Sequence, residues 1–222
     1  EKSHQDALVD KNIPAGRSGT TCVVVVINKE SGSIISANVG DSRAIIGKYQ
    51  GGTCVSKALT LESTTKRPDE RSRVEHVSKA EGGGGRIDAM GNVFYGPVGI
   101  AMTRALGDGV MRRAGIVPTP EIGVKMLCDN SPPDYAIIVL ASDGVFDVLK
   151  NEEVIAIANN EIKNTSTLFL SKEEKVAAES VAAKSAACTI AETARQKWQA
   201  GLPFEVKIDD ITCIVCYIFR VG

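Results

Sequence analysis

The chain has 222 residues, of which 43% are hydrophobic and 24% are charged, and its formal net charge is −1. This composition is typical of one globular domain, and so small a net charge gives no overall field that would attract nucleic acid or an anionic membrane. No apolar run reaches the roughly 18 residues of a membrane span and no secretory signal opens the chain, so we expect a cytoplasmic or nuclear protein that binds neither partner.

The first sixty residues are predicted to complete a helix and then to form an antiparallel meander. His4 to Lys11 is predicted to be the end of a helix, because Pro14 and Gly16 break the pattern. Short β-branched runs then alternate with glycine-rich turns, which is typical of antiparallel strands. The predicted strands are 20–28, 34–39, 43–47 and 53–59.

Three further helices are predicted downstream. Residues 67–79 have the apolar spacing of an amphipathic helix. Asn151 is predicted to cap a helix that runs to about Asn159. The segment Ser171-Lys-Glu-Glu174 forms a capping box, which predicts a long, alanine-rich helix to about Trp198.

The remaining strands are predicted near residue 87 and over 93–95, 97–102, 135–141 and 212–219. The run of 135–141 is continuously apolar, which is typical of a strand covered on both faces. Two strand-rich regions with the helices grouped elsewhere favour an α+β fold, in which an antiparallel β-sandwich of two sheets is flanked by helices.

Histidine and cysteine chemistry is disfavoured. The chain has only two histidines, which nearly excludes a catalytic or metal-binding histidine cluster, and its six cysteines are expected to be reduced thiols. Cys213 and Cys216 match a C-x-x-C pattern, but residues three apart in a strand face opposite sides. Carboxylates are therefore the stronger candidates.

The strongest candidate site lies where the apolar strand of 135–141 ends. The segment Ala141-Ser-Asp-Gly-Val-Phe-Asp147 follows that strand and contains Asp143 and Asp147. A strand end that leads into a glycine turn can project carboxylates from a rigid scaffold into a cleft. The alternative is structural, with Asp143 in an Asx turn and Asp147 capping a helix.

A second carboxylate pair, Asp209 and Asp210, precedes the last predicted strand. Adjacent carboxylates repel each other, and they stay ionised most easily where a cation lies between them and another acid. Because the ligands would be hard oxygens without histidine, that cation would be Mg²⁺ or Mn²⁺. The alternative is a solvated turn.

Six segments in chain order contain short motifs that belong together. The segments are Gly19-Thr-Thr21, Ala37-Asn-Val-Gly-Asp-Ser-Arg43, the stretch from Leu59-Thr60 through Glu70 and Arg73 to Gly82–Gly85, Ala101-Met-Thr-Arg-Ala-Leu-Gly-Asp108, Ser142-Asp-Gly-Val-Phe-Asp147 and Asp209-Asp-Ile-Thr212. They resemble the motifs of the type 2C family of metal-dependent serine/threonine protein phosphatases. Each motif is weak by itself, but six in the right order are highly specific.

The resemblance implies a four-layer α-β-β-α sandwich with two Mg²⁺ or Mn²⁺ ions at one edge. A metal-bridging hydroxide would attack the phosphorus of phosphoserine or phosphothreonine in a phosphoprotein substrate. By resemblance, Asp143 and Asp209 are metal ligands, and Asp147 and Glu62 belong to a third, more weakly held metal. No catalytic residue beyond the metal ligands is implied, and family members usually act as monomers.

Other matched residues are expected to have structural roles. By the same resemblance, Asp41, Arg43 and Asp108 are expected to fix turns. Arg104 is expected to order the core rather than to contact phosphate.

The chain departs from the family at three places. The family's D-G-H-G-G motif, which holds both core metals, has no match here. Glu62-Ser-Thr-Thr65 stands in place of the family's D-H-x-P, and Asp210 replaces the usual Asn and adds negative charge. Because the chain begins with Glu rather than Met, we interpret residues 1–222 as a single phosphatase-like domain that is N-terminally incomplete.

Three interpretations follow. In the first, the intact protein is an active phosphatase, and these residues alone have little activity because half of a metal cage holds a dication poorly. In the second, the protein is an inactive relative that keeps the fold as a docking or regulatory module, as the altered D-H-x-P stretch favours. In the third, it is another kind of hydrolase that uses the same carboxylates.

Overall fold

The computed structural model describes residues 14–28, 30–80, 84–127, 133–165, 171–201 and 208–219. The helix predicted over His4 to Lys11 lies outside these ranges. The chain forms two compact units, and the prediction of one domain stays a prediction. The first unit contains the described residues of Glu1–Val24, Ser36–Ser42 and Thr60–Gly123, and the second contains those of Val25–Ile35, Arg43–Leu59 and Val124–Gly222.

Short strands and a few helices occupy the described ranges. The strands are β1 (Gly19–Thr20), β2 (Cys22–Asn28), β3 (Ser33–Val39), β4 (Arg43–Gln50), β5 (Thr53–Ala58), β6 (Gly85–Ile87), β7 (Val93–Tyr95), β8 (Val98–Ile100), β9 (Leu106–Gly107), β10 (Glu121–Met126), β11 (Tyr135–Ala141) and β12 (Cys213–Phe219). The helices are α1 (Pro68–Ala80), α2 (Asp143–Phe146), α3 (Asn151–Asn164) and α4 (Lys172–Gly201), with a 3-10 helix over Gly109–Ala114.

The second unit contains a four-stranded sheet of order β12-β11-β4-β5, in which every neighbouring pair is antiparallel. Residues 136–139 of β11 are at most 1% exposed, which confirms the prediction of a strand covered on both faces. At the end of β11, Ala141 lies opposite Cys213 of β12 and Arg43 of β4. This register places the residues that follow β11 next to those that precede β12.

Helices α3 and α4 cover one face of this sheet. Their shared core contains Ile45, Ile137 and Val139 from the strands, Ile155 from α3 and Ile190 from α4. These side chains are at most 2% exposed. Full burial of an aliphatic side chain of this size contributes roughly 1.5–3 kcal/mol, so this core is a major source of stability.

The long helix α4 begins at the predicted capping box. The Glu174 amide donates to Ser171 Oγ (3.2 Å), and the Ser171 amide donates to Glu174 Oε2 (2.7 Å). Both bonds satisfy amides that the first helical turn leaves without partners, which confirms the prediction. The structure ends the helix at Gly201, three residues beyond the predicted Trp198.

The other face of the four-stranded sheet is also covered. Within the second unit, Ile34 of β3 and Ile46 of β4 line a cavity of about 200 Å³ together with Met126 of β10. Lys48 Nζ donates to the Met126 carbonyl (2.9 Å). The strands β10, β3 and β2 form a three-stranded sheet in that order. The predicted α+β class, with antiparallel sheets and helices, is confirmed.

The first unit has a separate core between α1, the 3-10 helix and the small antiparallel sheet β6-β7-β8. Val74 of α1, Val93 of β7 and Met111 of the 3-10 helix are each 0% exposed there. The predicted helix over residues 67–79 is confirmed at Pro68–Ala80.

Three features differ from the sequence-based expectations. The predicted meander is wrong because β3 and β4 belong to different sheets. Strand β10 was not predicted, although Ile122, Val124 and Met126 alternate with Gly123 and Lys125 in the two-residue period of a strand. Asn151 is the first residue of α3 rather than its cap, which is Lys150, and the helix continues to Asn164.

No helix within the described ranges is both long enough and apolar enough to cross a membrane.

Candidate metal site

Two segments distant in the sequence meet at the end of the four-stranded sheet. The Ser142 amide donates to the Thr212 carbonyl (3.1 Å), and the Thr212 amide donates to Ser142 Oγ (3.1 Å). Ser142 Oγ in turn donates to the Asp210 carbonyl (2.9 Å). These bonds fix the segment that carries Asp143 beside the segment that carries Asp209.

The close approach of the two segments requires glycine at position 144. A Cβ on Gly144 would collide with the Asp210 carbonyl, whose carbon would be only 3.0 Å away. Backbone atoms cannot move aside as a flexible side chain can. The glycine of the sequence motif therefore has a structural reason in this chain.

Local amides orient both predicted ligands. The Gly144 amide donates to Asp143 Oδ1 (3.0 Å), and the Asp210 amide donates to Asp209 Oδ1 (2.8 Å). Asp147 lies one helical turn after Asp143, and its amide donates to the Asp143 carbonyl (2.8 Å). Asp147 is the C-cap residue of α2, which agrees with the structural alternative in which Asp147 caps a helix.

The electrostatics of this site favour a bound cation. Burial raises the pKa of Asp143, and the negative charges of Asp209 and Asp147 raise it further. Three acids thus act on one another, and ionisation of Asp143 is disfavoured without a compensating positive charge. A divalent cation with oxygen ligands would supply that charge, so the residues present fit Mg²⁺ or Mn²⁺.

The structure places the fourth predicted ligand in the first unit. Glu62 is partly buried in the segment between β5 and α1, and its carbonyl accepts a hydrogen bond from Arg67 Nη1 (3.4 Å). Its participation in a third metal site stays a prediction.

Two matched arginines have side-chain contacts within their own units. Arg104 Nη1 donates to the Thr119 carbonyl (2.7 Å) and Arg104 Nη2 to Glu70 Oε1 (2.7 Å), in agreement with its predicted structural role. Arg43 Nη1 donates to Asn151 Oδ1 (2.7 Å), and its guanidinium lies 4.5 Å from the centre of the Phe146 ring.

A second carboxylate cluster, in the first unit, was not predicted. Asp69, Glu70 and Glu121 each have an oxygen within 4.8 Å of the others, so among the described residues they form a group that could hold a metal by distance alone. Only tertiary structure joins Glu121 to α1, and the sequence contains no motif for this pairing.

Arginines already neutralise this second cluster. Arg67 bridges Asp69 Oδ2 (2.5 Å) and Glu121 Oε2 (2.5 Å). Arg73 and Arg104 both bind Glu70, at 2.6 and 2.7 Å. Because guanidinium groups occupy the carboxylates in bidentate and bridging geometry, the cluster is an ion-pair network that ties α1 to the neighbouring strands.

The fold is α+β, and one sheet end brings together the segments of Asp143 and Asp209, the two residues that are predicted to bind a divalent cation. A sequence model of the family "Protein phosphatase 2C" matches residues 2–193. The chain is 31% identical to "Probable protein phosphatase 2C 14" of Oryza sativa subsp. japonica over 97% of its own length, and 32% identical to "Probable protein phosphatase 2C 61" of Arabidopsis thaliana over 90%. The chain therefore belongs to the protein phosphatase 2C family, a family of metal-dependent protein phosphatases.

Solved structures agree with this fold assignment. Serine-threonine phosphatase 2C from Toxoplasma gondii superposes with a TM-score of 0.73 at 17% identity, covering 99% of this chain and 64% of that one. A sex-determining protein of C. elegans superposes with a TM-score of 0.61 at 22% identity, covering 90% and 40%. The chain spans 37% of the rice relative and 54% of the Arabidopsis relative named above.

Proposed function

We propose that this chain is part of a Mg²⁺- or Mn²⁺-dependent phosphatase that removes phosphate from phosphoserine and phosphothreonine in proteins. In this proposal Asp143 and Asp209 bind the same cation. The observation that carries it is the hydrogen-bonded junction of Ser142 with Asp210 and Thr212, which brings the two carboxylates to one sheet end. The raised pKa of Asp143 supports it, because a cation would favour the ionised form.

The site residues would each act from a fixed element. Asp143 lies two residues after the end of β11, and Asp209 lies four residues before the start of β12, so both would act from segments attached to the same sheet end. Asp147 would contribute to a third, more weakly held ion. When bound, the cations would activate water as a nucleophile and balance the charge that develops on the departing phosphate. Family members usually act as monomers, and we propose the same for this protein.

A docking or regulatory module without catalytic activity is the second candidate. The observations that favour it are Glu62 in place of the family's Asp and Asp210 in place of its Asn. Both changes alter ligand length or charge near metal-binding positions. Such a module would keep the fold without hydrolysing phosphoproteins.

Mn²⁺ titration by calorimetry tests the metal site directly. We expect Asp143→Asn and Asp209→Asn each to weaken Mn²⁺ binding by at least about tenfold, because each removes one charged ligand. Glu153→Gln is the matched control. Glu153 is a carboxylate of the same unit that pairs with Lys197 (2.6 Å), and its loss should leave Mn²⁺ affinity unchanged.

Hydrolysis of a phosphothreonine peptide then separates the two candidates. We expect little activity from these 222 residues and Mn²⁺-dependent activity from the longer protein, lost with Asp143→Ala. A longer protein that binds Mn²⁺ but does not hydrolyse the peptide would support the docking module. If neither form binds Mn²⁺, the proposed metal site is refuted.

A further inference from the structure

The carbonyl of Gly144, the residue directly after Asp143, does not accept the hydrogen bond that a continuing α-helix would give it. Helix α2 ends at Phe146, and the Val148 amide donates to the Val145 carbonyl (3.3 Å) instead of to Gly144. Gly144 is buried, and a buried carbonyl without a donor is costly. Trp198 supplies the donor, because its Nε1 lies 2.7 Å from the Gly144 carbonyl oxygen.

Trp198 is partly buried and continues the buried face of α4. Ala186, Ile190 and Ala194 of α4 are each 0% exposed, and they recur at four-residue intervals. Trp198 is the next position in this series. Because residues four apart lie on the same face of a helix, the face that packs on the sheet also carries the indole to the end of β11.

Gly144 connects this helix to both predicted ligand segments. Its amide donates to Asp143 Oδ1, and its α-carbon approaches the Asp210 carbonyl too closely for any side chain. A change in the backbone torsion angles of Gly144 would therefore move the amide that holds Asp143 or press the α-carbon against the Asp210 carbonyl. The indole hydrogen bond to the Gly144 carbonyl opposes such a change.

We propose that Trp198 is a positioning residue of the metal site, which holds the Asp143–Gly144 turn in its ligand orientation through the indole N–H. This inference rests on the proposed metal-binding function of Asp143. The family match ends at residue 193, before Trp198, and gives this side chain no role. Partners that orient metal ligands commonly change metal affinity by about 10–100-fold when they are removed.

The test compares two substitutions on neighbouring positions of α4. Trp198→Phe keeps an aromatic ring in the packing but removes the N–H donor. Lys197 lies on the same helix as Trp198, and Lys197→Met removes its ion pair with Glu153 of α3. This substitution leaves the contacts of Gly144 unchanged. Amide hydrogen exchange of residues 142–149 is measured without metal, and the Mn²⁺ dissociation constant is measured by calorimetry.

We expect Trp198→Phe to speed exchange in residues 142–149 and to weaken Mn²⁺ binding, each by about tenfold. Lys197→Met should stay within about twofold of the unsubstituted chain in both measurements. Trp198 is also the single tryptophan of the chain, so its emission should change during Mn²⁺ titration with the same midpoint as the calorimetric signal.

The outcomes are separable. An unchanged rate of amide exchange in Trp198→Phe overturns the inference, whatever the Mn²⁺ dissociation constant of that variant. Faster exchange with unchanged Mn²⁺ affinity overturns it as well, because the bond would then be structural only. If neither the unsubstituted chain nor the longer protein binds Mn²⁺, the proposed function fails first and the positioning role falls with it.

Discussion

Replacing Glu70 by Gln is expected to destabilise the first unit. Glu70 is 2% exposed and accepts hydrogen bonds from Arg73 Nη2 (2.6 Å), Arg104 Nη2 (2.7 Å) and the Thr103 hydroxyl. The substitution keeps the shape of the side chain but removes its charge. Two guanidinium groups then lose the anion that balances them.

The expected loss in the free energy of unfolding follows from the burial of Arg73 and Arg104, the two partners of Glu70. Removing one member of a fully buried ion pair costs about 3–5 kcal/mol. The side chains of Arg73 and Arg104 are 27% and 14% exposed, so water partly solvates the released cations. We therefore expect a loss of about 2–3 kcal/mol in the free energy of unfolding.

The same helix offers a matched control. Glu75 forms an exposed pair with Arg71 (2.9 Å), four residues earlier on α1. Such surface pairs contribute about 0.3–0.5 kcal/mol, so Glu75→Gln should lower the free energy of unfolding by no more than that amount. Urea denaturation at neutral pH measures both variants. If Glu70→Gln costs no more than Glu75→Gln, the buried network does not stabilise the fold and the reasoning is refuted.

The pH dependence gives an independent check on the same residue. Burial alone would raise the pKa of Glu70, but hydrogen bonds from Arg104, Thr103 and Arg73 outweigh burial and hold the pKa below its ordinary value of 4.5. The unfolded chain therefore binds a proton first as pH falls. The stability advantage over Glu70→Gln should be complete above that ordinary value and should shrink as pH falls through the lower folded pKa.

Two further predictions concern the second unit. Gly144→Ala should weaken Mn²⁺ binding by about tenfold in calorimetry, because the added Cβ would collide with the Asp210 carbonyl. Gly16→Ala is the control and should bind Mn²⁺ normally, because a Cβ at Gly16 would have no atom within 4 Å. Equal Mn²⁺ affinities of the two variants would contradict the close packing of Gly144. Ile190→Ala should lower the free energy of unfolding by about 2–5 kcal/mol, because it leaves a cavity in the core, and Val181→Ala on the exposed side of α4 by less than about 0.5 kcal/mol. Similar losses in thermal denaturation would show that the predicted difference in packing is absent.

Elements with a complete local signal were predictable from the sequence. Residues 135–141 carry an uninterrupted apolar run, and such a run has few stable environments other than a covered strand. Ser171 and Glu174 supply both partners of a capping box within four residues. In each case the residues that determine the structure lie inside the element itself.

Elements that depend on distant partners were not predictable in the same way. Strand β10 is only six residues long, and although its apolar and polar residues alternate with the period of a strand, nothing in its own sequence indicates that it pairs with β3. The turn of residues 40–42 looks like a simple hairpin connection. Its two strands nevertheless join different sheets, because each finds other strands with which to pair.

The candidate site shows both situations. Motif resemblance predicted Asp143 and Asp209 as ligands, and the structure brings their segments together. The hydrogen bonds of Trp198 and Ser142 could not be predicted, because their acceptors are main-chain carbonyls. Every residue has such a carbonyl, so the type of the accepting residue gives no signal in the sequence. Glu121 lacked a signal for a different reason, since the side chain with which it pairs, that of Arg67, lies 54 residues away in the sequence.

The register of two strands explains why the carboxylates can meet at all. In an antiparallel pair, the chain leaves one strand at the end where it enters the other. Ala141 pairs with Cys213, so the residues after β11 and before β12 must lie at the same sheet end. The strand register therefore brings the segments that carry Asp143 and Asp209 to the same sheet end, and the hydrogen bonds of Ser142 with Asp210 and Thr212 hold the second segment in place. The proposed cation site would depend on this support, because ligand positions must be held to within about half an ångström.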